Sequence, residues 1–209
     1  MLKDRGGSGL TSPNSPTNPS GGGSSLAEGV SFDGSTDYLS RASDLTGNVD
    51  SKAFTFSCFF YNTPSTTGDV YLFSSGDVGT NNGYFNIVLQ NTGEVKIIGY
   101  NNIGTRILYT ITPSSVFKKN TWSHILISLD MVSSANCKVY VNDINITPLT
   151  FNNYTNENLI FTKANKGVSY DTKAPAVSPL VGRLSNFFLD YTYRDLSIEA
   201  NRRIFSVPM

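Results

Sequence analysis

The chemistry open to this chain is bounded by its scarcest reactive residues. His124 is the only histidine, so any serine–histidine or cysteine–histidine mechanism, and any histidine-rich metal centre, would depend on that one ring. It lies in WSHILISLD, alternating with Ile125, Ile127 and Leu129 on the face that carries Trp122 and Leu126. A structural histidine packed beside Trp122 is expected there. Glycoside hydrolysis needs two carboxyl groups about 5–9.5 Å apart. The four glutamates, Glu28, Glu94, Glu157 and Glu199, have no carboxylate neighbour at i+2 or i+4 on a strand. No catalytic residue, metal site or cofactor is expected, and the chain reads as a non-enzyme. Cys58 in AFTFSCFFY and Cys137 in CKVYVN share faces with apolar residues, as small buried core residues do; a disulfide between them stays open. The sequons at Asn145 and Asn153 carry little weight without a secretion signal.

Binding chemistry is better placed on turns. The stretch Gly76–Tyr84 supplies Asp77, Asn81, Asn82 and Tyr84, and a second turn supplies Tyr100 and Asn101. Carboxylate, amide and phenol groups on loops are what a glycan or cation site needs. Ordinary turn chemistry in an Asn-rich protein is the competing account.

The elements that must hold these loops are strands. Ser, Thr and Asn number 26, 20 and 21 of 209 residues, against 32 charged ones. Short uncharged side chains of this kind favour turns and strands over helices. Apolar runs recur roughly every 8–12 residues, the spacing of an all-β sandwich or barrel: GVSFD, DYLSR, AFTFSCFFY, VYLFSS, YFNIVLQ, EVKIIGY, RILYTI, WSHILISLD, CKVYVN and PLVGRLSNFFLDYTY. Asn91-Thr92-Gly93 and Asn142-Asp143 read as hairpin turns. One helical turn is expected near Ser197–Phe205, with Ser197 as its cap. Phe54, Phe56, Trp122, Ile125, Ile127, Val139, Val141 and Phe187 are the expected core. Lys plus Arg equals Asp plus Glu at 16 each, which leaves no basic field for nucleic acid. No apolar run reaches the length of a membrane span, so no membrane insertion is expected. The amino terminus lacks a signal peptide's apolar core, and synthesis in a cytoplasm is expected.

Residues 1–25 stand apart from this pattern, with 19 of the 25 being Gly, Ser, Pro, Thr or Asn. Pro13, Pro16 and Pro19 recur with the three-residue period of polyproline II between two glycine clusters. Leu2 and Leu10 are sizeable apolar anchors in a segment too polar to fold alone. At ~3.3 Å per residue the arm reaches up to 80 Å. A strap laid on neighbouring subunits, by strand addition or in shallow pockets, is therefore expected, and residues 26–209 are read as one domain.

In order along residues 27–207, FDGSTDYL, FTFSCFFY, VYLFSSGD, YFNIVLQNTGEVKI, NTWSHILISLD, KVYVND and LVGRLSNFFLDYTYRDLSIEANRRIF resemble the concanavalin A-like, laminin-G-like jelly roll. That resemblance implies an all-β, two-sheet antiparallel jelly-roll sandwich with an extended N-terminal arm and a short C-terminal helix. Asp143 replaces the family's turn glycine. Tyr84 stands near an aspartate of calcium-binding members, so no laminin-type calcium site is carried over. The fold hosts enzymes and binding modules alike. With its polar arm, the chain resembles phage virion proteins, which implies a capsid decoration or tail-associated structural protein located in the virion. Its partners would be other virion subunits and copies of itself. The rival reading is a carbohydrate-binding or adhesion module for host-surface glycans.

Overall fold

Alternation along the longest strands decides how the sheets pair. In the computed structural model, which describes residues 3–4, 29–45 and 47–205, Phe54, Phe56, Cys58 and Phe60 all point inward from β4 (Ala53–Asn62) and are fully buried. A nine-residue antiparallel ladder sets Leu129, Ile127 and Ile125 of β9 (Trp122–Asp130) opposite Phe54, Phe56 and Cys58. Around this pair stand β2 (Val30–Asp33), β10 (Lys138–Val141), β11 (Ile144–Asn145) and β16 (Val181–Asp190), giving a six-stranded sheet in the order β11-β10-β9-β4-β16-β2.

The facing sheet has eight strands: β1 (Lys3–Asp4), β3 (Leu39–Ala42), β5 (Val70–Ser75), β6 (Phe85–Leu89), β7 (Val95–Tyr100), β8 (Arg106–Ile111), β12 (Thr150–Tyr154) and β13 (Asn165–Val168). Their order is β1-β3-β13-β5-β6-β7-β8-β12. A small hairpin, β14 (Tyr170–Asp171) with β15 (Ala176–Val177), a single 3₁₀ turn at Ser134–Asn136 and one α-helix, α1 (Glu199–Arg203), complete the described residues. All ladders are antiparallel. The two-sheet sandwich expected from the sequence is therefore the fold, with an edge-to-face cluster of Phe54, Phe85 and Phe161 at its centre, ring centroids 5.0–6.0 Å apart. Such pairs add to the stabilisation from burial alone.

The turn expectations hold at the hairpins. Asn142 and Asp143 have φ of 52° and 63°, and Gly93 has φ of 91°, the left-handed values that two-residue and glycine turns require. Both cysteines are buried and free. Six short strands, β1 and β11 to β15, escape the sequence reading.

Three expectations need correction. Trp122 is 42% exposed, because strict alternation puts it on the outer face of β9, opposite to Ile125 and Ile127. Leu126 on that same outer face is buried, since Leu196 and Phe205 from the C-terminal segment pack over it and Tyr140; Trp122 lies beyond that cover and rests against Tyr61 at 5.7 Å. Phe187 is 38% exposed. A bulge between Ser185 and Phe188, with Asn186 at φ 50°, leaves its ring against Phe56 and Phe73, 5.2 and 6.1 Å away. It sits past the last β2 pairing, Val30 with Leu184, so one side meets solvent. Ser197 does not cap α1. Its N–H and hydroxyl both donate to Asp195 Oδ1, at 2.9 and 2.6 Å, and Ile198 takes the cap position.

At the start of the arm, Lys3 and Asp4 pair antiparallel with Ser40 and Leu39 of the same chain, at the edge of the eight-stranded sheet. Leu2, Leu10, Pro13, Pro16 and Pro19 lie outside the described residues.

Candidate functional site

A cleft of about 740 Å³ opens beside β3 and β13, lined by Tyr38, Ser40, Arg41, Ala42 and Ser43 of β3 and its flanks, Asn165 and Lys166 of β13, Tyr170, Thr172 and Pro175 of the hairpin, and Val78. That volume lies within the usual range of small-ligand sites. Each wall has a local cause. Tyr38 is delivered by the turn in FDGSTDYL: Asp33 Oδ1 accepts the N–H groups of Ser35, Thr36 and Asp37 at 2.8, 2.8 and 3.0 Å. Its Oδ2 accepts the hydroxyls of Ser35 and Thr36. These bonds, the Thr36 N–H foremost, hold the Asp33 carboxyl well below the usual carboxylate range.

The β14–β15 hairpin is folded back over β5. Ser74 Oγ donates to the Tyr170 carbonyl at 2.6 Å and accepts the Thr172 N–H at 3.1 Å. The Gly79 N–H reaches the Lys173 carbonyl at 2.7 Å, tying the Gly76–Tyr84 loop to the hairpin. Gly167 permits the fold-back, because a Cβ there would meet the Tyr170 carbonyl oxygen at 2.8 Å. The hairpin then lays Tyr170 on Tyr38, with ring centroids 4.6 Å apart and planes 18° from parallel.

The loop residues expected to bind are brought together, yet most of their polar groups are committed to structure. Gly83 N–H bonds the Asn101 carbonyl at 2.8 Å and Tyr100 N–H the Tyr84 carbonyl at 2.9 Å, so the two turns are neighbours. Tyr84 is not a loop contact: it is buried and its hydroxyl donates to Asp171 Oδ1 at 2.8 Å. Burial, with the Asp171 charge beside it, pushes its phenol far above the ordinary value. Tyr100 is half-buried beside it, ring centroids 6.2 Å apart. Asp77 pairs with Lys163 at 2.9 Å. Asn101 Oδ1 accepts the N–H groups of Ile103 and Thr105, and its amide donates to Glu157. Asn82 is exposed and Asn81 half-buried. A smaller cleft of about 450 Å³ beside these turns includes Asn101 but not Asp77, Tyr84 or Tyr100. The tyrosine pair of the larger cleft was missed by sequence reasoning, although Tyr38 stands inside a motif already singled out.

Among the described residues, no group of three His, Cys, Asp or Glu is placed to hold a metal ion, and no helix is long and apolar enough to cross a membrane. The described glutamates are scattered. Glu94 accepts from Thr92 in a hairpin, Glu157 from Asn101 and Thr155, and Glu199 pairs with Arg203 on α1. His124 is structural, as expected, though its ring stacks on Phe59 at 4.3 Å rather than on Trp122, and Nε2 meets Ser57 Oγ at 2.8 Å.

Residues 33–176 match the family model of the concanavalin A-like lectin/glucanases superfamily. The chain belongs to this superfamily. The heptameric SAP-like pentraxin of Limulus polyphemus superposes with a TM-score of 0.59 at 14% identity, covering 84% of this chain and 80% of that one. The CBM40 domain of Ruminococcus gnavus IT-sialidase, solved with α2,3-sialyllactose, gives 0.59 at 15% identity, with 84% and 96% covered. Domains LG4-5 of the mouse laminin α1 chain give 0.52 at 12% identity, with 82% and 43% covered. At these identities the likeness is one of fold. The curated protein sequences give no match.

Proposed function

We propose that the chain is a non-catalytic carbohydrate-binding module and that the sugar occupies the cleft over β3 and β13. The observation that carries this reading is the Tyr38–Tyr170 stack set among the hydroxyls of Ser40 and Ser43 and the amide of Asn165. Aromatic faces take the apolar side of a pyranose ring, and convergent short polar groups fix its orientation. The CBM40 domain solved with a bound saccharide supports the reading through its shared fold. Tyr38→Ala is expected to weaken binding of a cognate oligosaccharide at least about tenfold by titration calorimetry, with the melting temperature little changed because Tyr38 lies outside the core cluster. Unaltered affinity in that variant, or no binding across a glycan array, overturns the reading.

A second reading draws on the pairing of Lys3–Asp4 with β3. We propose that the chain also serves as a virion structural subunit, a phage capsid decoration or tail-associated protein made in the host cytoplasm. Its N-terminal arm would pair with β3 of a neighbouring copy, since a strand ladder reads only backbone. Lys3 and Ser40 are register partners, so chains carrying K3C mixed with chains carrying S40C should form a disulfide-linked heterodimer on oxidation. A crosslink confined to single chains bearing both substitutions, or no crosslink at all, overturns it.

A further inference from the structure

Lys166 is the one buried charged residue among those described. The β13 ladders set it opposite Arg41 and Ser75, on the inward side with the core residue Val168, and its side chain is 1% exposed. Burial, foremost, holds the pKa of its amine down, with the Asp44 charge opposing the shift. A buried ammonium ordinarily satisfies its N–H donors with hydrogen bonds. Among the described residues this one makes none of sound geometry. It forms an ion pair with Asp44 Oδ1 at 3.3 Å, on a carboxylate that is 37% exposed.

The loop between β3 and β4 brings a second reactive group to that same oxygen. The loop is anchored by Asp50 Oδ1, which accepts the N–H groups of Phe161 and Thr162 at 2.9 and 3.1 Å, and by the Asn48 N–H on the Leu45 carbonyl at 3.1 Å. Asn48 Nδ2 donates to Asp44 Oδ1 and to the Phe161 carbonyl, which fixes the plane of the carboxamide. Its Oδ1 is buried and, among the described residues, no donor reaches it. One carboxylate oxygen thus touches an amine on one side and an amide nitrogen on the other. Those are the positions of a nucleophile, a proton carrier and a leaving group.

We propose that Lys166 and Asn48 join in the folded chain through an isopeptide bond, with Asp44 carrying the proton between them. The Asp44 carboxylate takes a proton from the Lys166 ammonium, and the lone pair so freed adds to Asn48 Cγ, pushing the C=O pair onto Oδ1. Asp44 returns its proton to Nδ2. The carbonyl re-forms, the Cγ–Nδ2 bond breaks, and ammonia leaves with the surplus proton of the new amide nitrogen. An ammonium and a primary amide become a secondary amide and an ammonium ion, with no oxidant or cofactor consumed. A neutral amide then stands where a buried charge stood. The bond ties the β3–β4 loop to β13 across more than a hundred residues of sequence, a closure that restricts the unfolded chain as a disulfide does.

The test is mass spectrometry of the purified full chain, denatured only after folding. The intact mass should fall short of the sequence mass by one ammonia, and trypsin should release a branched peptide joining residues 42–52 to residues 164–173. Asn48→Ala and Lys166→Met should each restore the sequence mass. Asp44→Asn keeps both reactants but carries no proton, and should slow the bond's formation at least about a hundredfold. An unmodified wild-type mass overturns the proposal. So does a loss of ammonia without the branched peptide, or one that persists in Asn48→Ala. Loss of water with Lys166 joined to Asp44 overturns it as well, by placing the bond on the other carbonyl. Should the variants fail to fold, the wild-type branched peptide decides the matter by its presence or absence.

Discussion

Gly182→Ala is expected to abolish the folded state. Gly182 sits within β16, paired with Phe32 of β2 on one side and Asn62 of β4 on the other. A Cβ built there collides with the Tyr61 carbonyl oxygen and falls 3.2 Å from Leu180 Cδ1. The first contact is with backbone held in the longest ladder of the six-stranded sheet, so no side chain can swing aside. Relief requires parting β16 from β4, which would also strand β2, since among the described strands β16 is its only neighbour. The cost exceeds the usual 1–3 kcal/mol of overpacking and rivals the whole stability of a domain this size. Loss of the cooperative thermal transition in soluble Gly182→Ala protein, with Ser185→Ala retaining it, is the expected result; a melt within a few degrees of wild type would show that the strands approach less closely than described.

The second large effect is on pH dependence. Burial holds the His124 imidazolium unfavourable, pushing its pKa down from 6.5 to about 4, with Asp143 opposing the shift. The neutral ring is the folded form. Below pH 6.5 the unfolded chain gains a proton that the folded chain declines until about pH 4, so stability is full above 6.5, falls through that window and levels off beneath it. Between pH 7.5 and 5 the loss is about 2 kcal/mol, at 1.36 kcal/mol per unit. This interval lies above the range in which most carboxylates titrate. His124→Gln removes the titration and should flatten the curve of unfolding free energy against pH, measured by urea denaturation. Parallel curves for the two proteins would place the ring's proton elsewhere.

How much of this was legible from the sequence differs by element. β4, β9 and β10 could be read because their inward residues alternate strictly with polar or capped ones, and alternation is the local signature of a half-buried strand. Thr150–Tyr154 and Asn165–Val168 could not, because TFNNY and NKGV carry no such pattern. They are strands by virtue of the neighbours whose ladders they complete. Trp122 was misjudged for a related reason: a large aromatic at a strand's start looks like core until one knows which outer face the C-terminal segment covers. The cleft lay further still beyond local reading. Tyr38 and Tyr170 are brought together because β13 inserts between β3 and β5, a pairing across more than a hundred residues that no short motif announces. The sequence picks out the two candidate turns but not that they are neighbours, nor that Asp77 is taken by Lys163 and the Asn101 side chain by Glu157, Ile103 and Thr105.

The position of β16 has a consequence for how the chain is made. Synthesis delivers β2 early and β4 soon after, yet in the six-stranded sheet both must wait for residues 181–190 to enter between them. Until then β2 has no ladder, and one edge of β4 keeps its backbone N–H and C=O groups unpaired. Closing the sheet joins residues some 150 positions apart, the kind of long-range pairing that slows folding and leaves strand edges open to association meanwhile.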